Sequence, residues 1–301
     1  MHPFIEALAH VRGGVEAIAH RGGAHGPGAS AGPGARPGAG DVRGDAADDG
    51  PGENTLEAFA AAVTLGYRHL ETDVHATADG VLVAFHDTTL DRVTDRRGPI
   101  AALTLDDVRR ARVLGPQGDG GRIPTFEELV TSFPEVRFTV DLKADGAVAP
   151  MLALLARTPS LLARVCIGSF DDARVRAVRT RFGRAVATSA GPREVLALRA
   201  RSAVAGRTGI GAGRRHGRAV RRAGRSERFP ADLLQVPERV GPLPIVERRL
   251  LELAASLGVP VHVWTVNDPG RMDALVELGV HGIVTDAVAP LKGLLERRGA
   301  W

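Results

Sequence analysis

Cysteine is almost missing from this 301-residue chain: Cys166 is the single instance, so an intramolecular disulfide and a cysteine-built zinc site are both excluded. It stands in "RVCIGSF", which reads as a buried strand, and its expected part is that of a small core hydrophobe. No stretch approaches the roughly 20 consecutive apolar residues needed to cross a bilayer. The opening "MHPFIEALAHVRGGVEAIAH" lacks a basic start, an unbroken apolar run and a small-residue cleavage site. No secretory signal is therefore expected, and the expected location is cytoplasmic.

Positive charge is concentrated in one stretch. Residues 199–228 hold ten arginines against one glutamate, a net +9 in a chain whose formal charge is +4, so the remainder is mildly acidic. Such a run could hold nucleic acid or anionic lipid through phosphate contacts. It has neither aromatic residues for base stacking nor an apolar stripe for insertion. The expectation is a solvated Arg-rich insertion: no nucleic-acid partner, with peripheral contact to an anionic membrane as the one partner reading the charge itself suggests.

What is present is the balance of a globular protein, 44% hydrophobic and 25% charged. Short β-like runs near 16–20, 68–74, 136–142, 164–169, 184–188, 232–236, 260–265 and 281–284 alternate with amphipathic helical runs. The helices are expected near 55–65, 125–132, 146–157, 171–181, 192–200, 245–257, 269–278 and 287–297. Eightfold alternation points to an α/β fold, a closed (β/α)₈ TIM barrel formed by residues 1–301 as one domain. The Gly-x-Gly-x-x-Gly turn of a dinucleotide-binding fold is absent after the first strand.

One segment breaks the alternation. In "HLETDVHATADGVLVAFHD", Asp79-Gly80 is flanked by β-like runs and predicts a β-hairpin after the second strand. A two-residue loop would place Ala78 opposite Val81 and Asp73 opposite His86, with Glu71 on the same face.

The active site of a (β/α)₈ barrel lies at the carboxyl ends of its strands. Polar residues collect there: His20 and Arg21 end the first strand, Glu71 and Asp73 the second, His86 returns beside them on the hairpin, and Asp141 and Lys143 end the third. Three carboxylates without cysteine make a hard oxygen site suited to Mg²⁺ or Ca²⁺. Singly, each acid would serve as a helix cap or face water; together they would repel unless a cation or substrate lay between them. Two histidines beside a divalent metal, with Arg and Lys, suit phosphodiester chemistry: one imidazole takes a proton from the attacking oxygen and the other protonates the leaving alkoxide.

The ordered motifs "HRG", "ENTLEAF", "ETDVHATADGVLVAFHDTTLDRVTD", "RIPTFEELV", "DLK", "SFD", "VHVWTVND" and "HGIVTD" resemble those of the glycerophosphodiester phosphodiesterase family across most of the chain. The resemblance implies a metal-dependent hydrolase of glycerol and lipid metabolism that converts a small-molecule glycerophosphodiester to an alcohol and glycerol 3-phosphate. It implies His20 and His86 as the catalytic pair, with Arg21 and Lys143 as phosphate-side cations. Glu71, Asp73 and Asp141 are implied as metal ligands, Glu53 of "ENT" as a site-lining acid, and Trp264 as a wall against the glycerol moiety. The family's third acid is usually a glutamate in Glu-x-Lys; here it is Asp141 in "DLK", an arrangement similar to that of sphingomyelinase D-type phosphodiesterases. A lysophospholipase D or sphingomyelinase D-like activity is therefore the second enzyme reading. A catalytically silent phosphate- or lipid-binding barrel is the reading from another class, which the presence of both histidines disfavours. Neither head group nor oligomeric state is legible.

About thirty Gly-, Pro- and Ala-rich residues separate "HRG" from "ENTLEAF". On this reading residues 23–52 form the first βα loop, an insertion on the active-site face with a disordered-looking composition, where loops normally run 2–6 residues.

Overall fold

The computed structural model describes residues 2–9, 11–23, 51–115, 118–205 and 229–301. Residues 24–50 of the expected first-loop insertion and 206–228 of the Arg-rich insertion lie outside these, so both readings remain expectations. Eight parallel strands form the centre: β1 (Glu16–His20), β2 (His69–Ala76), β3 (Arg137–Leu142), β4 (Val165–Gly168), β5 (Ala187–Thr188), β6 (Leu234–Pro237), β7 (Val261–Trp264) and β8 (Gly282–Thr285). They pair in the order β5-β4-β3-β2-β1-β8-β7-β6. A parallel bridge between Ser189 and Leu233 joins β5 to β6 and closes the ring. The eight expected strands and eight expected helices all form, their ends displaced by a few residues.

Local chemistry explains the helix positions. Thr125 and Glu128 form a reciprocal capping box at the start of helix Phe126–Ser132. Asp268 caps helix Pro269–Leu278, with proline at its first turn and the left-handed Gly279 at its end. On β2 the alternation sorts residues by face. Leu70 and Val74 join the apolar layer with Phe59, Phe126 and Phe138, leaving His69, Glu71 and Asp73 for the barrel interior. Among the described residues, no helix is long and apolar enough to cross a membrane.

The hairpin after β2 is present, but its register corrects the expectation. Val74 pairs with Ala84 and Ala76 with Leu82. The loop is three residues, Ala78 to Gly80: the Gly80 amide donates to the Thr77 carbonyl at 2.9 Å, and the Thr77 amide donates to the Val81 carbonyl at 3.0 Å. Gly80 takes the left-handed conformation (φ 79°) that closes a three-residue hairpin loop. Asp73 consequently faces Phe85, whose amide donates to its carbonyl at 2.9 Å, and His86 lies one residue beyond the pairing.

The "HRG" and "ENT" segments are joined. The Asn54 amide donates to the Arg21 carbonyl at 3.0 Å, and the Arg21 amide donates to the Glu71 carbonyl at 3.0 Å. Arg21 (φ 51°) and Asn54 (φ 59°) both adopt left-handed backbone, a strain that collects at functional sites. Gly22 (φ 89°) lets this turn meet the first helix: a Cβ there would lie 2.6 Å from the Ala58 Cβ. Gly22→Ala combines a disfavoured φ with overpacking, and should lower unfolding stability by about 2 kcal/mol or more in urea titrations.

Candidate active site

At the carboxyl ends of the strands a cavity of about 730 Å³ opens. His20, Arg21, Glu71, Asp73, His86, Asp141, Lys143 and Trp264 line it, so eight of the nine residues singled out from sequence meet at one place. Glu53 stands behind this wall. Its Oε1 accepts from Arg21 Nη1 (3.1 Å) and Arg92 Nη2 (2.7 Å), and its Oε2 accepts from Arg92 Nη1 (3.0 Å). Trp264, at the end of β7, makes an edge contact with the exposed Phe170 ring, their centroids 5.6 Å apart.

Each histidine is held through Nδ1 by a carboxylate. His20 Nδ1 lies 2.6 Å from Asp286 Oδ1, and Asn267 Nδ2 donates to Asp286 Oδ2 at 2.9 Å. His86 Nδ1 lies 2.6 Å from Asp87 Oδ1, and Arg92 Nε donates to Asp87 Oδ2 at 2.6 Å. An Nδ1–H given to a carboxylate fixes the ring and leaves Nε2 as its working atom. Asp286, Asp87, Arg92 and Asn267 were not singled out from sequence. The available signals were an acid directly after His86 and another just past the last strand.

The electrostatics separate the two imidazoles. Burial alone would lower the pKa of His20, but Asp286 and Glu71 outweigh it and the net shift is upward. For His86 burial also lowers the pKa, and Arg21 and Lys143 reinforce it over the opposing pull of Asp73, so the net shift is downward. The two imidazoles are thus biased in opposite directions, His20 towards the imidazolium and His86 towards the free base.

The acids divide similarly. Asp73 is buried, yet Arg21 and Lys143 hold its carboxyl far below the usual carboxylate range. Arg21 Nε lies 2.9 Å from Asp73 Oδ2, and Lys143 Nζ 2.8 Å from Oδ1. Glu71 is pushed up to about 7, first by burial and then by Asp73. Asp141 is raised for the same two reasons, although Lys143 Nζ lies 2.9 Å from its Oδ2.

Two atoms bear on a cation. Glu71 Oε2 and Asp141 Oδ1 are buried without a hydrogen-bond partner, and orphaned carboxylate oxygens in a cluster of raised pKa are what a bound hard cation would satisfy. The donor set therefore fits Mg²⁺ or Ca²⁺. Glu71 Oε2 also lies 3.7 Å from His20 Nε2, which places the acid that would bind the cation beside the working atom of one histidine. A second set of donors, Glu16, His69 and His262, lies deeper in the barrel, with ligand atoms all within 4.8 Å of one another.

Residues 34–289 match the model of the "Glycerophosphoryl diester phosphodiesterase family". The chain belongs to that family. A Mycobacterium tuberculosis relative named "Probable glycerophosphodiester phosphodiesterase 2" is 35% identical over 249 residues, 82% of this chain and 87% of that protein. The crystal structure of a glycerophosphodiester phosphodiesterase from Agrobacterium tumefaciens superposes with a TM-score of 0.65 at 16% identity, covering 93% of this chain and 99% of that one. An Oleispira antarctica phosphodiesterase, solved in complex with the product sn-glycerol-3-phosphate, superposes with a TM-score of 0.64 at 19% identity over 93% and 96% of the chains. The likenesses to solved structures establish the barrel, and the family match establishes an enzyme of the phosphodiesterase class. The His-Arg-Gly turn precedes the matched range, so its link to the site rests on the geometry above.

The His20–Asp286 contact gives a pH-dependent stability. The His20 pKa is raised above its ordinary 6.5, so its contribution is full below that value and is lost as pH rises through the folded-state pKa. The Asp286 pKa is lowered below its ordinary 3.8, so its contribution is full above that value and is lost as pH falls through the folded-state pKa. Asp286→Asn should therefore cost about 3 kcal/mol at roughly pH 5 to 6 and clearly less near pH 9, read from thermal melts in chelator.

Proposed function

We propose that this chain hydrolyses glycerophosphodiesters to an alcohol and glycerol 3-phosphate, with His20 and His86 as its acid and base. The carrying observation is the pair of imidazoles anchored by Asp286 and Asp87 beside one cavity, with pKa values displaced in opposite directions. Neutral His86 accepts the proton of the attacking oxygen through Nε2. Charged His20 donates its Nε2 proton to the departing alkoxide, and Asp286 stabilises its charged form until then. Arg21 and Lys143 present positive charge to the phosphoryl oxygens. A divalent cation held by Glu71, Asp73 and Asp141, Mg²⁺ or Ca²⁺ by their oxygen chemistry, would supply Lewis-acid stabilisation of those oxygens. Trp264 forms a flat apolar wall for the glycerol carbon chain.

The two histidine roles separate by leaving group. On glycerophosphocholine, His20→Ala and His86→Ala should each lower kcat by about 10²–10⁴-fold. On an aryl phosphodiester, whose phenolate leaves without a proton, His20→Ala should lose far less than His86→Ala. A smaller loss for His86→Ala than for His20→Ala on the aryl substrate would reverse the assignment, and full activity in both variants would refute the acid–base pair. Chelator should abolish turnover of the wild-type chain, and Mg²⁺ or Ca²⁺ should restore it.

One observation favours a second substrate class. The exposed large hydrophobics among the described residues are Phe170, Leu196, Val240 and Leu243, and all four line this same cavity. A phosphodiester bearing an acyl or alkyl chain would cover them, which is the lysophospholipase D reading. Leu196→Asp, 68% exposed in the wild type, should raise KM for a lysophospholipid severalfold and leave KM for glycerophosphocholine unchanged. Steady-state kinetics on the two substrates decide it.

A further inference from the structure

Below the catalytic cavity, towards the amino ends of the strands, the barrel interior is polar where an aliphatic layer would pack at no cost. Glu16 opens β1, His69 opens β2 and His262 is the second residue of β7. All three are buried, both histidines completely. Glu16 Oε2 lies 2.8 Å from His69 Nδ1 and 3.9 Å from His262 Nε2.

His262 is the anomaly. Neither of its ring nitrogens has a hydrogen-bond partner, although an imidazole always carries at least one N–H and, when neutral, one lone pair. An interior that leaves both functions unpaired forfeits their hydration for nothing. Space for the ring is provided nonetheless. Its pairing partner on β8 is Gly282, where a Cβ would lie 2.6 Å from His262 Cδ2 and 2.9 Å from Nε2.

We infer that Glu16, His69 and His262 form a second metal site, distinct from the catalytic carboxylates and selective for Zn²⁺ or a similar transition-metal ion. Two imidazoles and one carboxylate are borderline donors that favour such ions over Mg²⁺ or Ca²⁺. Tetrahedral bonds of about 2.0–2.2 Å put ligand atoms roughly 3.3–3.5 Å apart. The 2.8 Å and 3.9 Å separations bracket that spacing.

Supporting contacts are in place for two of the three ligands. Glu16 Oε1 is held by Arg137. His69 Nε2 lies 2.9 Å from Thr139 Oγ1. For His69 to bind through Nδ1, its ring proton moves to Nε2 and is given to Thr139 Oγ1; the ring stays neutral and no proton leaves it. Thr139 also lines the catalytic cavity, so the ion would tie β1, β2 and β7 together directly beneath the reaction centre.

The test reads metal, not activity, and so stands apart from the reading of the catalytic pocket. The full chain, loaded with Zn²⁺ and desalted, is analysed for bound metal beside a Glu71→Gln/Asp141→Asn double variant and a His262→Leu variant. About one zinc per chain is expected in the wild type and in the double variant, and none in His262→Leu. Loading the unmodified chain with Co²⁺ should give the intense visible absorption of four-coordinate cobalt with nitrogen ligands, which six-coordinate oxygen ligation lacks. This measurement decides the matter should His262→Leu fail to fold. No retained zinc together with a weak six-coordinate cobalt spectrum, or zinc retained undiminished by His262→Leu, would overturn the inference and leave a buried water as the partner of His262.

Discussion

Asp73 is 2% exposed, and it can remain an anion there only because Arg21 and Lys143 lie against its two oxygens at 2.9 and 2.8 Å. The rest of the site follows from that compensation. Lys143 is shared with Asp141, so the cation that neutralises Asp73 on β2 also serves the acid on β3. Arg21 is shared with Glu53, Glu53 with Arg92, and Arg92 with Asp87 beside His86. A chain of alternating charges thus runs from the third strand to one of the two histidines. Removing one partner from such a buried array strands the next, which is why its members are costly to change one at a time. Glu71, whose Oε2 has no hydrogen-bond partner, carries a raised pKa, from burial first and from Asp73 second.

Much of this was legible in the residues. The fold could be read because helix and strand signals coincided with caps and glycines: the Thr125–Glu128 box, Asp268-Pro269 and Gly279 mark helix ends by local chemistry that survives tertiary packing. The site could be read in part because strand ends converge, so polar residues at those ends must meet. What escaped were relations decided by three-dimensional register. Asp79-Gly80 signals a turn equally well for a two- or a three-residue loop, and only the left-handed φ of Gly80 with the Thr77–Val81 pairing distinguishes them. Asp286 lies 266 residues from His20 in sequence, and nothing local to either residue announces the contact. Glu16, His69 and His262 are equally silent singly, because each sits in a run that reads as an ordinary strand.

The two ends of the barrel interior contrast in chemistry. Above, hard oxygens, a lysine and an arginine face an open cavity, a setting for anionic substrate and a labile cation. Below, two imidazoles and one acid are closed off from solvent, a setting for slow exchange. Thr139 touches both, since its hydroxyl lies near His69 and also accepts from Gln235 Nε2 at 3.1 Å, and both Thr139 and Gln235 line the cavity.

The stitching of Arg21 to Asn54 has a consequence beyond catalysis. The described residues on either side, 21–23 and 52–54, are fixed by the barrel's own hydrogen bonds. These anchored flanks make a natural port: new chain ends could be opened between them, or a foreign domain spliced in, with the barrel's framework still closed.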